Sequence, residues 1–257
     1  MRTPGRLEQT DDWDELAAWW LVEVDDPAYR EEVVPLFLEV FRPRSGQVLL
    51  DLGCGDGRIG ERVAAQGVRV VGVDINVELV RVASGRHPVL LKRLPDLACV
   101  RDAAVDGAYA VLALEHIDDS ACFFAETARV TRAGGSLTIV INHPVYTAPR
   151  SGPVIDQTDG ELLWRFGRYL SPGKSYEPAG DQTIEFRHRP IGTLLTQAAA
   201  AGWSIEAAVE QGMGSRAASR DPILAKHRDI PHLMALRWRR SSPSAETRSV
   251  TRRPGSS

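Results

Sequence analysis

Asp51-Leu-Gly-Cys-Gly-Asp-Gly57, with Asp74 seventeen residues beyond Gly57, is the stretch of this chain whose residue types and spacing best suit ligand chemistry. Gly53, Gly55 and Gly57 allow a sharp turn and a close approach of backbone to a ligand, where side chains would collide. Asp74 adds a carboxylate with two acceptor oxygens, the group that reads paired sugar hydroxyls. Three histidines are candidate proton acceptors: His116 after Glu115, His143 before Pro144, and His188 before Arg189-Pro190. His87, His227 and His232 have no comparable placement. Cys54, Cys99 and Cys122 have neither metal-ligand nor disulfide spacing, so no metal site is predicted and a reducing compartment is expected.

Two ligand classes fit the glycine turn. Gly55-Asp-Gly-Arg-Ile-Gly60 satisfies G-x-G-x-x-G, which admits a nicotinamide or flavin nucleotide. A diphosphate, however, needs bare N–H groups at a helix start, and this turn is bordered by Asp51 and Asp56. Carboxylates there repel a diphosphate and favour a ligand of net positive charge such as S-adenosylmethionine, with its ammonium, sulfonium and single carboxylate.

Positioning these groups requires particular elements. Residues 48–52 form a short apolar run suited to a strand buried on both faces, 58–66 carry apolar residues at helical spacing, and 68–73 form the next strand, with Asp74 at its tip. Upstream, Trp13, Leu16, Ala17 and Trp20 predict a helix capped by Asp11 or Asp12 and broken by Pro27. A second helix is predicted over 29–41, with Val33, Leu36, Phe37 and Val40 on one side. Downstream, strand five covers 136–142 and an insertion covers 143–187. Within it, 162–166 and 183–187 read as a hairpin-like pair separated by the turn signal Ser171-Pro-Gly-Lys174. A helix over 191–201 closes at Gly202, and strands six and seven follow at 203–210 and 230–238.

With these elements in place, Asp51 to Gly57 together with Val73-Asp74 resembles motifs I and II of the S-adenosylmethionine-dependent methyltransferases with a Rossmann-like fold, in their small-molecule branch. Asp106-Gly-Ala-Tyr-Ala-Val-Leu-Ala-Leu-Glu115-His116-Ile-Asp-Asp119 is similar to that family's fourth-strand region. Ala128-Arg-Val-Thr-Arg-Ala-Gly-Gly135 is similar to its turn into strand five. Segments similar to "Y/F-x-H-R-P", "AG-aromatic" and "IP-x-hydrophobic" extend the resemblance over about residues 30 to 240. It implies an α/β fold: a seven-stranded mixed sheet with strand seven antiparallel between strands five and six, helices on both faces, an N-terminal helical lid and a cap insertion after strand five.

The resemblance also implies a cofactor, S-adenosyl-L-methionine, and roles for its contacts. Asp51 would hold the ammonium, and Gly53, Cys54 and Gly55 would line the methionine moiety. Asp74 would accept the ribose hydroxyls and Ile75 would lie against adenine. Leu112 and Glu115 would close the site near the sulfonium. Residues 90–96 depart from the family by offering no carboxylate after strand three, which leaves backbone near Leu94 as the adenine contact. Trp20 and Tyr29 would shield the sulfonium from the lid. Tyr146, Tyr169 and Tyr176 would touch the acceptor from the cap, where His188, His116 or His143 would act as base.

Composition bounds the rest. A chain of 257 residues with 43% hydrophobic and 25% charged residues suits one domain over 1–240, with N-terminal helices at 11–42, a cap at 143–187 and a disordered tail at 241–257. Formal net charge of −3 argues against nucleic acid, and Asn142-His143-Pro144 follows strand five rather than strand four, where the asparagine–proline motif of amino-group methyltransferases lies. With no long apolar run and no leader pattern, no membrane partner is expected and a cytoplasmic location is. Oligomeric state is not legible. The expected activity is methyl transfer to an oxygen or nitrogen of a small-molecule metabolite. The competing assignments are a nicotinamide-dependent oxidoreductase and a non-catalytic cofactor-binding module.

Overall fold

A computed structural model describes residues 8–9, 13–23, 29–179, 182–214 and 228–241. The expected helix cap at Asp11 or Asp12, the break at Pro27 and the tail beyond 241 lie outside these residues.

In chain order the elements are β1 (Glu8–Gln9), α1 (Trp13–Glu23), a π-helical turn (Tyr29–Val33) running into α2 (Val34–Val40), β2 (Val48–Leu52), α3 (Arg58–Ala64), β3 (Arg69–Asp74), α4 (Val77–Ala83), β4 (Val89–Leu91) and β5 (Val105–Val111). A short 3-10 turn (Leu114–His116), α5 (Ser120–Val130), β6 (Thr131–Asn142), α6 (Pro144–Thr147), β7 (Gly152–Ile155), β8 (Leu162–Arg165), β9 (Gly173–Ala179), β10 (Gln182–His188), α7 (Ile191–Ala200), β11 (Trp203–Gly212) and β12 (Pro231–Arg240) complete them.

Seven strands form one mixed sheet in the order β11-β12-β6-β5-β2-β3-β4. β2, β3, β4, β5 and β6 run parallel, and β12 lies antiparallel to both β6 and β11. This is the expected sheet, with the last strand inserted against the direction of its neighbours. Every residue of β5 is buried, as a central strand covered on both faces requires. On one face α5 and α7 pack Phe123, Phe124, Leu194 and Ala198 against Leu137, Ile139 and Trp238. On the other, α2 and α3 bring Leu36, Phe37, Ile59 and Val63 against Leu49, Tyr109 and Val140. Phe37 stacks on Phe41 at 4.4 Å, and both meet the Tyr109 ring at 5.3 and 5.2 Å, fixing α2 over the sheet centre.

Two details differ from expectation. β6 begins at Thr131, which already pairs with Val105, and Gly134 at φ +74° takes up the irregularity before Ser136 joins Gly107. Within the insertion, 162–166 and 183–187 do not pair with each other. β8 pairs with β7, and β10 pairs with β9 in a sheet that β1 joins in parallel. The physical reason lies in the turns: Gly160 at φ +74° donates its N–H to the Asp156 carbonyl at 2.9 Å, closing a tight turn between β7 and β8.

Candidate active site

A cavity of about 350 Å³ opens at the carboxyl ends of the central parallel strands, the edge where open α/β sheets bind ligands. Its floor is the β2–α3 turn (Gly53, Gly55), the tip of β3 (Asp74, Ile75) and Leu79 of α4. Lys92, Arg93 and Leu94 after β4 and Leu112 to Asp118 after β5 supply its walls, Leu114 and Glu115 excepted. Leu16 and Trp20 of α1 and Ile184, Glu185 and Arg187 of β10 complete it.

The glycines of the turn are required by closeness. Gly53 sits at φ +73°, and a Cβ there would fall 2.5 Å from the Ala113 Cβ. Gly55 sits at φ +54°, with a Cβ position 3.1 Å from the Trp20 indole nitrogen. Leu112 adopts φ +52° without being glycine, so the cavity wall holds a strained backbone residue that no sequence pattern announces.

Asp74 is 9% exposed and faces inward amid backbone donors: Oδ2 accepts the Gly55 N–H at 2.8 Å and Oδ1 the Asn76 N–H at 2.9 Å. Burial raises its pKa above the ordinary carboxylate value, and these N–H groups oppose the shift.

The turn's other acids behave differently from expectation. Asp56 points to cations, pairing with Arg58 at 3.0 Å and Arg86 at 2.7 Å. Asp51 is buried behind the turn, where desolvation pushes its carboxyl up to about 8 against the influence of the Tyr109 hydroxyl, with the Asp74 charge adding to the rise. Neither lines the cavity, so the charge bias expected from them is corrected. What disfavours a diphosphate is the use of the amides: Gly53 and Cys54 donate to the Val73 carbonyl at 2.8 and 3.2 Å, Gly55 to Asp74, Gly57 to the Cys54 carbonyl at 2.9 Å, and Arg58 to Asp56 at 3.2 Å. A loop with these donors committed offers little to phosphate oxygens.

Cys54 turns its thiol toward Gly72, where a Cβ would lie 2.7 Å from Sγ, and burial raises its pKa. It packs the turn and is absent from the cavity wall. Ile75, Leu94 and Leu112 stand on the wall. Glu115 does not. It lies behind the 3-10 turn, accepting from the Asn142 N–H at 3.2 Å and the Asn142 amide side chain at 3.0 Å, and burial pushes it up to about 7. Its position ties the end of β5 to the end of β6.

Of the three histidines only His116 reaches the cavity. Its Nδ1 lies 3.0 Å from the Glu185 carbonyl, which can only accept, so Nδ1 carries the proton and Nε2 the lone pair. Burial lowers its pKa to about 4, keeping the ring neutral. His143 instead caps α6 through Nδ1, which accepts the Val145 N–H at 3.1 Å, and its Nε2 lies 2.8 Å from Glu210. His188 is buried with Nε2 2.7 Å from the Tyr169 carbonyl. Both are held by these partners, and neither lines the cavity.

Trp20 lines the cavity, and Tyr29 stands edge-on behind it at 6.1 Å. The three insertion tyrosines do not line it. Tyr146 stacks on Trp164 at 5.0 Å, the Tyr169 hydroxyl accepts the Ile191 N–H at 3.2 Å, and Tyr176 donates to Glu185 at 3.0 Å. Residues that the sequence did not single out fill their place: Glu185 binds Lys174 at 2.7 Å and Arg187 at 3.0 Å, and Arg187 also pairs with Asp118. Their alternation along β10 was the available signal. Among the described residues no cluster suits a metal ion, and no helix is long and apolar enough to cross a membrane.

Comparison with known proteins follows the same geometry. Residues 50–139 match the family described as methyltransferase domain. A ubiquinone biosynthesis O-methyltransferase of Xylella fastidiosa is 33% identical over 104 residues, covering 38% of this chain and 42% of that protein. The O-methyltransferase rstn1 of Aspergillus nomiae is 34% identical over 104 residues, covering 37% and 46%. The chain thus spans about half the length of the curated relatives it matches. Among solved structures, an S-adenosylmethionine-dependent methyltransferase from Mesorhizobium loti superposes with a TM-score of 0.69 at 26% identity, covering 80% of this chain and 96% of that one. A putative methyltransferase of the same dependence from Listeria monocytogenes has the same TM-score and coverage at 20% identity, a likeness of fold.

Proposed function

We propose that this chain, which carries an S-adenosylmethionine-dependent methyltransferase domain with a Rossmann-like fold, transfers a methyl group to an oxygen atom of a small-molecule acceptor, with nitrogen as the alternative atom. The observation that carries the proposal is Asp74: a buried carboxylate at the tip of β3, on the cavity wall and braced by the Gly55 amide, is suited to paired ribose hydroxyls.

The residues present fit the methyl donor. Asp74 would accept the ribose hydroxyls, Ile75, Leu79 and Leu94 would flank the purine, and the bare backbone at Gly53 and Gly55 would admit the methionine portion. When bound, S-adenosylmethionine supplies a methyl group activated by a sulfonium. Leu16, Trp20, Ile117 and Ile184 exclude water from the opposite side. Holding an acceptor in line behind that methyl is worth up to about 7–11 kcal/mol. The His116 Nε2 lone pair, set by the Glu185 carbonyl, takes the proton of an acceptor hydroxyl. The names of the relatives favour oxygen as the atom methylated.

Calorimetry with S-adenosylhomocysteine tests the cofactor, and a panel of hydroxylated acceptors with labelled donor tests turnover. Absence of heat with donor and product alike overturns the assignment. Tight binding without turnover of any acceptor assigns the chain to non-catalytic binding modules instead.

A further inference from the structure

Most of the insertion does something other than cover the cavity. Among the described residues between Asp118 and Ile184 none lines it, so the β7–β8 hairpin stands outside the proposed site. It is a sheet of two strands only, a size that is marginal unless something packs on it. One face is secured: Trp164 donates its indole N–H to the Val145 carbonyl at 3.3 Å and stacks on Tyr146. The other is not. Val154 and Leu163, directly paired across the hairpin on that face, are 40% and 43% exposed. Among the described residues β8 pairs with β7 alone, so its outer edge is open to another strand.

The charges of the hairpin state what kind of surface would meet it. Asp156, Asp159 and Glu161 occupy the tip, and Arg150, Arg165 and Arg168 occupy the root. Among the described residues no ion pair involves any of these six. The Asp156 carboxylate accepts from the backbone and side chain of Thr158, Asp159 accepts the Glu161 N–H, and Arg165 donates to the Arg150 carbonyl. Four strand residues at ~3.3 Å each keep tip and root about 13 Å apart, too far to neutralise one another. A second hairpin laid antiparallel, related by a two-fold axis, brings its arginines beside these acids and its acids beside these arginines. A parallel arrangement sets like charges together. The edges differ as well, since β7 contains Pro153, which has no N–H to donate, whereas β8 contains no proline.

We propose that two copies of this chain associate through an antiparallel pairing of β8 with β8 of the second copy, joining the two hairpins into one four-stranded sheet that sets Leu163 of each copy side by side across the seam and Glu161 of each opposite Arg165 of the other. Sedimentation velocity of the full chain over a concentration series reads this directly. A monomer–dimer equilibrium that weakens with salt is the expected result. Leu163→Glu raises the dimer dissociation constant by roughly tenfold or more, because a charge is then carried into the pairing. Glu161→Arg and Arg165→Glu each weaken association, and the double variant restores it, since the reversed charges are again complementary. Circular dichroism melting accompanies each variant, and the charge-reversal pair decides the matter should Leu163→Glu not fold. A chain that stays monomeric throughout overturns the proposal, as does a dimer indifferent to all these variants. So does a monomer that sediments with phosphatidylcholine vesicles through the same apolar residues.

Discussion

The Gly55 main-chain N–H donates to Asp74 Oδ2 at 2.8 Å, so the turn after β2 reaches the carboxylate at the tip of β3 across nineteen positions of sequence. A donor that would otherwise be available to a phosphate thus orients the carboxylate that faces the cavity. On the proposed function, the same bond would serve both selectivity for the ligand class and placement of the ribose contact.

Asp74→Ala is expected to weaken S-adenosylhomocysteine binding by about 2–3 kcal/mol, the worth of charge-assisted hydrogen bonds to buried hydroxyls. Calorimetry measures it. Unchanged affinity with intact folding removes Asp74 from the ribose role.

His116→Ala is expected to lower the rate at saturating donor by about 10²–10⁴-fold, the usual share of a positioned base. Because burial holds the His116 pKa at about 4, the pH–rate profile shows no limb at the ordinary imidazole value. A limb near neutrality that disappears in this variant contradicts the assignment of a neutral ring.

His188→Ala is expected to destabilise the fold by about 1–3 kcal/mol by emptying a buried side-chain position and leaving the part-buried Tyr169 carbonyl without this partner. Cofactor affinity stays as it was. Chemical denaturation and calorimetry separate the two effects.

Stability is expected to fall as pH rises toward 8. Asp51 has its folded-state pKa raised from 3.8 to about 8, so the folded chain holds that proton more tightly than the unfolded chain does. The contribution is complete below the unfolded value and is lost as pH climbs through the folded one; Glu115, raised from 4.5 to about 7, acts in the same sense. Asp51→Asn should flatten the dependence of melting temperature on pH. A variant that melts with the same pH slope as the parent disproves the link.

Gly60→Ala is expected to cost about 1–3 kcal/mol, the range for overpacking a core, because the added Cβ would lie 2.2 Å from His87 Nε2. Combining it with His87→Ala should recover part of the loss in denaturant melts. Additive losses would mean that His87 is not what Gly60 makes room for.

The cofactor side was legible because its groups are local. β2 falls on 48–52 as expected, and the glycines and Asp74 belong to one strand–turn–helix–strand unit whose apolar runs and turn residues agree. The acceptor side was not, since it is assembled from α1, the segment after β5 and β10. His116 meets the Glu185 carbonyl across 69 positions, and nothing local to either residue encodes that meeting. The insertion was mispaired for a related reason. β9 holds Ser175, Glu177 and Pro178 and β7 opens with Gly152 and Pro153, residue types depleted in strands, so neither partner strand stood out in the sequence.

Glu8 and Gln9 lie alongside Gln182 and Thr183 in parallel register, and α1 follows directly from that short pairing. Leu16 and Trp20, from the chain's first two dozen residues, therefore share a scaffold with Ile184 and Glu185, from far downstream. Leu16 packs against Ala179 and Ile184 as well, so the near and far ends of the chain meet on one side of the cavity through both a strand pairing and an apolar contact.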